Sequence, residues 1–291
     1  GLAWSSQTEE KRRLRRVFGL RRPQRDVPVA ERKGETVLKA LVTGASSGIG
    51  RAIAQELAAR GYDLILVARR RDRLEALARE LPVKCRILEL DLSDLKQCKM
   101  LYCHARSEDL EVVVNNAGFG MCGPFAATSL ERDLEMIRTN IVAVHVLTKL
   151  FLRDFRARNC GYILNVASSA GFMAGPLMAT YYATKNYVLR LTEAVREELR
   201  REGSAVQLSA LCPGPVKTEF NDVAEVKFSL PGMEAQACAR IAVRGLLRGK
   251  AVIVPGIGMK TAVMASRLAP EWLLPRITYH VQHKKMQGKK Q

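Results

Sequence analysis

From position 37 onward the chain alternates short apolar runs with longer stretches whose apolar residues recur every three or four positions, and this alternation constrains its fold most. The runs VLKALV, DLILVA, CRILEL, LEVVVN, YILNVA, QLSALC and AVIVP are rich in Val, Ile and Leu, as strands buried on both faces must be. Between them, GRAIAQELAARG, RRDRLEALAREL, SDLKQCKMLYCHARSE, SLERDLEMIRTNIVAVHVLTKLFLRDFRAR, YYATKNYVLRLTEAVREELRREG and GMEAQACARIAVRGLLRG carry the helical period. Strand then helix, repeated, predicts an α/β fold: one doubly wound, seven-stranded parallel sheet with helices on both faces and right-handed crossovers. A ligand crevice is then expected at the carboxyl ends of the strands.

Residues 36–258 hold this pattern without an internal repeat or a second core. Residues 1–35 read as a basic, flexible extension lacking the long apolar stretch of a secretory signal, and 259–291 as a helical extension with a basic tail. The net charge of +18 is concentrated in these flanks, each of which carries about +5. Basic flanks are the only feature pointing toward nucleic acid, so none is expected as a partner. No apolar stretch is long enough to span a bilayer; near AVMASRLAPEWLLPRI, Arg267, Pro270, Glu271 and Pro275 interrupt. Seven cysteines without a CxxC pair argue against a disulfide framework or a zinc site, and four scattered histidines supply no metal ligands. A reducing, cytoplasmic setting fits best.

TGASSGIG, positions 43–50, sits where the first strand becomes a helix. Gly44, Gly48 and Gly50 permit a tight turn and close approach of a ligand, while the free amides at the helix N-terminus attract phosphate. The second strand ends at Ala68, where a dinucleotide-binding unit often carries an acid for the ribose hydroxyls, and Arg69, Arg70 and Arg71 follow. Guanidinium groups complement a ribose 2′-phosphate, so NADP(H) is expected over NAD(H), with Arg69 the leading ligand and Arg70 next. Asp91 at the end of the third strand either bonds the adenine amino group or caps the helix starting near Ser93. NNAG, Asn115 to Gly118, ends the fourth strand at the same edge and serves either the cofactor or the sheet.

Tyr181 and Lys185 are four residues apart in YYATK and share one helical face. A phenol with pKa near 10 becomes useful for proton transfer when a neighbouring cation lowers that pKa, and Lys185 is placed to do so. Tyr182 has Asn186 at the same spacing instead.

In order along the chain, TGASSGIG, NNAG, Asn140 in TNIVAV, Ser168 in SSAG, YYATK and PGPVKT together resemble the short-chain dehydrogenase/reductase family, over about residues 37–257. The spacings agree, with Ser168 lying 13 before Tyr181 and Asn140 lying 28 before Ser168. The resemblance implies a Rossmann fold and NADP(H)-dependent interconversion of a carbonyl and an alcohol. It implies that Tyr181 donates a proton to the substrate oxygen, that Ser168 polarises that oxygen, with Ser169 second by register, and that Lys185 holds the nicotinamide ribose. Asn140 would kink its helix and hold a water, and Thr218 would bond the carboxamide unless it is a helix cap. Further cofactor contacts implied are Ser46, Ser47 and Ile49 in the first turn, Leu92 beside Asp91, and Asn116, Ala117 and Gly118 in the fourth. Pro213, Gly214 and Val216 complete them, after the sixth strand.

Family members choose substrates with the loops after the fifth and sixth strands. Here Phe172, Met173, Leu177, Met178, Phe220, Val223 and Phe228 line an apolar pocket or belong to the core; a lipid, steroid, 3-oxoacyl or other apolar ketone fits better than a sugar. A homodimer or homotetramer is expected. The C-terminal stretch reads as a helix beside the pocket or as a peripheral membrane contact, and an NADP(H) sensor without chemistry is the rival reading.

Overall fold

The computed structural model describes residues 38–220, 232–270 and 272–287. Seven strands form one parallel sheet: β1 (Lys39–Thr43), β2 (Asp63–Ala68), β3 (Cys85–Glu89), β4 (Leu110–Asn115), β5 (Tyr162–Val166), β6 (Gln207–Leu211) and β9 (Val252–Ile253), in the order β3-β2-β1-β4-β5-β6-β9. The order reverses between β1 and β4, which opens a crevice at their carboxyl ends. A separate parallel pair, β7 (Val216–Lys217) with β8 (Met233–Glu234), has no counterpart in the sequence reading; strands of two residues leave no apolar run to detect.

The strands alternate their side chains between two cores, as the pleat demands. Ala40, Val42, Leu64, Leu66, Val112 and Val114 face α1 (Gly48–Ala58), α2 (Arg71–Glu80) and α7 (Ala235–Leu247), meeting Ile53, Leu57, Leu74, Leu77 and Leu246. Leu41, Ile65, Val67, Val113 and Ile163 face the other way, toward Cys98 and Leu101 of α3 (Leu95–Ala105) and Leu147, Phe151 and Phe155 of α5 (Val144–Ala157). The helix expected over 129–158 is interrupted. It runs as α4 (Leu130–Ile137), a π-helical stretch Arg138–Ala143 and then α5, and a wide turn of this kind often marks a functional position. Beyond β9 the chain forms α8 (Ile257–Leu268) and α9 (Leu273–Gln287). Among the described residues no helix is long and apolar enough to cross a membrane.

Between β4, β5 and the second helical layer lies a buried polar lattice. Asn115 Nδ2 donates to Thr148 Oγ1 (3.1 Å) and Asn165 Oδ1 (2.9 Å), Thr148 Oγ1 donates to the same Asn165 oxygen (3.1 Å), and Asn165 Nδ2 donates to Thr192 Oγ1 (3.0 Å). Thr192 stands on α6 (Ala179–Arg201), the long helix that follows β5, so directional bonds set the position of α6 against the sheet where apolar packing alone permits sliding. All four side chains are nearly inaccessible to water, so removing one partner strands the others. Asn165→Ala should therefore cost roughly 2–4 kcal/mol in urea unfolding, and a loss below about 0.5 kcal/mol would show that the lattice contributes little.

Candidate active site

The glycine turn joins β1 to α1 under tight steric limits. Gly44 and Gly48 have φ of +65° and +55°, a region that favours glycine. A Cβ at Gly44 would stand 2.8 Å from Asn116 Nδ2, one at Gly50 would stand 2.3 Å from the Gly44 carbonyl oxygen, and one at Gly48 would press on the Thr218 side chain. These glycines thus let the turn pack against the β4 turn and Thr218. The sequence predicts a tight turn and close approach of a ligand for them, and Gly44 and Gly48 also line the site cavity. Thr43 Oγ1 accepts from the backbone amides of Asn116 (2.9 Å) and Ala117 (3.0 Å), and Asn116 Nδ2 donates to the Thr43 carbonyl (2.9 Å). No side chain of the N-cap residue Ser47 closes the start of α1, and its first turn carries no acid. This positive helix end lies along a cavity of about 600 Å³.

Gly44, Ser46, Ser47, Gly48, Ile49, Asn116, Ala117, Gly118, Asp91, Leu92, Pro213, Gly214, Val216 and Thr218 all line that cavity, as do Arg69 and Arg70. Gly50 does not; its role is the packing just described. The two arginines differ in direction. Arg70 Nη2 reaches Ser46 Oγ (3.2 Å) and Ser47 Oγ (3.0 Å) beside the glycine turn, and its Nη1 reaches Glu219 Oε2 (3.0 Å). Arg69 turns to Glu135 (3.1 Å) and Asp91 (4.0 Å), and Arg71 pairs with Glu75 along α2. Of the two arginines, Arg70 rather than the first-ranked Arg69 reaches the glycine turn. Asp91 does not cap α3: its Oδ1 accepts from the Ser93 amide (2.9 Å), while the cap is Asp94, which accepts from the Lys96 amide (2.8 Å). Thr218 Oγ1 accepts from the Phe220 amide (3.3 Å).

Tyr181, Lys185 and Ser168 meet at the end of β5. Ser168 accepts from the Ala170 amide (3.1 Å), which orients its hydroxyl, and Ser168 lines the same cavity as the Tyr181 phenol. Lys185 Nζ donates to the Val166 carbonyl (2.9 Å) and lies 5.8 Å from the centre of the Tyr181 ring. Ser169, the second-ranked serine, donates its backbone amide to the Pro213 carbonyl. Tyr182 lines the same cavity, but its hydroxyl accepts from Gln282 Nε2 of α9 (2.6 Å). Asn140 occupies the π-helical stretch, and its amide both donates to the Phe119 carbonyl (2.9 Å) and accepts from the Phe119 amide (3.1 Å). It also donates to Thr184 Oγ1 (3.1 Å) on α6, so the expected kink takes the form of a widened turn bracing the loop after β4.

Burial dominates the electrostatics here. It pushes the Tyr181 phenol up to about 12, against the opposing pull of the Ser168 side chain, and draws Lys185 down to about 8, with the Cys212 thiol acting the other way. The expectation that Lys185 lowers the Tyr181 pKa is thus not met in the protein alone, because both groups are nearly dry and each resists its charged form. The phenol is held protonated, as a donor.

Of the residues expected at the substrate end, Met173, Met178 and Phe220 line the cavity. Phe172 lies elsewhere, beneath the Arg267 guanidinium (5.5 Å), and Leu177 is off the wall in a left-handed conformation (φ 66°). Val223 and Phe228 lie outside the described residues. Sequence reasoning missed Phe119. It placed a C-terminal helix beside the pocket as one of two readings without naming its residues; two helices reach the cavity, through Met259 and Val263 of α8 and Ile277 and Val281 of α9.

A model of the short chain dehydrogenases matches residues 38–227. The chain is 32% identical over 216 residues to the very-long-chain 3-oxoacyl-CoA reductase of Anas platyrhynchos, covering 71% of this chain and 69% of that protein. It is 36% identical over 199 residues to the NADP-dependent 3-hydroxy acid dehydrogenase of Schizosaccharomyces pombe, covering 65% of this chain and 74% of that one. The solved structure of a short-chain dehydrogenase from Sphingobium yanoikuyae in complex with NADPH aligns with a TM-score of 0.71 at 31% identity, over 79% of this chain and 94% of that one. Sheet order, site geometry and sequence therefore converge: the chain belongs to the short-chain dehydrogenase/reductase family and is an oxidoreductase of the alcohol/carbonyl couple.

Proposed function

We propose that the protein is an NADP(H)-dependent reductase of apolar ketones, with Tyr181 as proton donor, Ser168 polarising the substrate oxygen and Arg70 reading the 2′-phosphate. The observation that carries this reading is the convergence of buried Ser168, Tyr181 and Lys185 in a cavity that extends to the open end of α1 and the Arg70 guanidinium. That cavity suits a dinucleotide: a positive helix end and a guanidinium for phosphates at one end, apolar walls at the other. NADP(H), when bound, supplies the hydride.

The chain's own residues supply the rest. Tyr181 keeps its proton until the carbonyl oxygen gains alkoxide character, and transfer is then downhill, since an alcohol oxygen holds a proton about as firmly as water does and more firmly than the phenol. Ser168 offers a hydroxyl to the same oxygen, a bond that strengthens as charge develops. Lys185, poised near 8, exchanges a proton readily at neutral pH and lies against Tyr181 to replenish it. Asn140 keeps the loop carrying Gly118 and Phe119 at a fixed distance from α6, where a Cβ on Gly118 would stand 2.8 Å from the Asn140 oxygen. Phe119, Met173, Met178, Phe220, Met259 and Val263 make the substrate end apolar. The 3-oxoacyl-CoA reductase likeness supports a 3-oxoacyl thioester or another ketone with a long apolar arm. The extension after β9 then belongs to substrate binding, through α8 and α9.

NADPH oxidation against apolar ketones, steroids, 3-oxoacyl thioesters and sugars tests this reading; turnover confined to the apolar members is expected, and tight NADPH binding without turnover would leave a nucleotide sensor. Tyr181→Phe should retain NADPH affinity and lose roughly 10²- to 10⁴-fold in single-turnover hydride transfer. Tyr182→Phe should lose far less, and near-parent transfer by Tyr181→Phe would remove Tyr181 from the chemistry.

Coenzyme choice is tested separately. Arg70→Ala should weaken NADPH binding by roughly 1.5–3 kcal/mol, the worth of a charge-assisted contact, while leaving NADH nearly unchanged. Arg69→Ala should weaken it less; the reverse order, read by calorimetry, would return the role to Arg69.

A further inference from the structure

Arg70 is already engaged by an anion. Its Nη1 donates to Glu219 Oε2 (3.0 Å), and the other carboxylate oxygen of Glu219 pairs with Arg73 of α2, while Nη2 is held between the Ser46 and Ser47 hydroxyls. The Arg70 fork thus points one nitrogen at the glycine turn and gives the other to a carboxylate. We infer that Glu219 holds the place of the ribose 2′-phosphate in the free protein and is displaced by it, so that this carboxylate sets how strongly the enzyme prefers NADP(H) over NAD(H). This rests on the reading of the cavity as an NADP(H) site.

A phosphate monoester carries about −1.5 to −2 charges and three acceptor oxygens, and it binds a guanidinium best through both forward nitrogens. It therefore needs the nitrogen that Glu219 occupies, and two anions on one nitrogen repel each other. The carboxylate is free to yield. Its side chain is 43% exposed, so its pair with Arg70 is screened and weak, and Arg73 remains to accompany it once Arg70 is taken. Arg69 lines the same cavity but is directed to Glu135 and Asp91 rather than to the glycine turn. A cofactor lacking the 2′-phosphate leaves the pair intact, and a 2′-hydroxyl can donate to the Glu219 carboxylate. Glu219 thereby does in part what an acid in place of Ala68 would do at the end of β2. The apparent affinity for NADPH is then the intrinsic affinity multiplied by the fraction of molecules in which Arg70 is released.

Glu219→Gln removes the charge and keeps the shape. Binding of NADPH, NADH, 2′,5′-ADP and 5′-ADP is measured by calorimetry on the parent, Glu219→Gln and Glu219→Ala, with thermal melting of each ligand-free protein to establish that it is folded. Both variants are expected to bind NADPH and 2′,5′-ADP about fivefold more tightly than the parent, the scale of a screened ion pair, and NADH and 5′-ADP no more tightly. A parent that prefers NADPH, with variants that bind it no better or that gain equally for NADH, overturns the displacement by Glu219 and leaves the cofactor reading standing. A parent that binds 2′,5′-ADP no better than 5′-ADP overturns both.

Discussion

Everything in the site depends on the junction between β1 and β4, where strand order reverses and two βα turns must lie side by side. Thr43 and Asn116 make that junction rigid: one hydroxyl serves two amides of the β4 turn, and one carboxamide returns to the end of β1. The contact is close enough that only glycine fits at positions 44 and 50. With the turns locked, the start of α1 opens onto the crevice and Gly118 is brought against Asn140 and Lys185. The glycine turn at one end of the cavity and the Lys185 side chain at the other are in this way referred to one rigid joint.

From that joint the positioning passes through polar bonds in a setting where an unmet donor is costly. The Asn115, Thr148, Asn165 and Thr192 lattice ties β4 and β5 to α6, and Asn140 ties the loop after β4 to Thr184 on the same helix. Tyr181 and Lys185 lie on that helix one turn apart, and their location relative to Ser168 is as exact as these bonds. Dryness then tunes them in opposite senses, the phenol toward a firmly held proton and the ammonium toward easy exchange.

The fold and the shared helical face of Tyr181 and Lys185 were legible in the sequence because both depend on local pattern, whereas Ser168 was singled out only by the family resemblance. Buried parallel strands read as apolar runs, and a four-residue step on a helix places Tyr181 and Lys185 on one face whatever surrounds them. What escaped depends on contacts distant in sequence. The direction of Arg69 is decided by Glu135 and that of Arg70 by Ser46, Ser47 and Glu219. The π-helical turn at Asn140 has no periodic signature, the Asp94 cap competes with an equally plausible Asp91, and the Gln282 bond that diverts Tyr182 spans 100 residues. For the wall formed by α8 and α9 the sequence left two readings, a helix beside the pocket or a membrane contact, because helical spacing names an apolar face without naming its partner.

The account holds that a hydride carried by NADPH is delivered to an apolar ketone held over Tyr181. The most direct measurement is transfer from NADPH deuterated on the nicotinamide carbon that carries the hydride, in each of its two epimers, to a long-chain 3-oxoacyl thioester or a bulky ketone, with the product read by mass spectrometry. Deuterium on the carbinol carbon of the product from one epimer and not the other is the predicted result. An alcohol without deuterium from either, or no product from any apolar ketone while NADPH binds tightly, would contradict it.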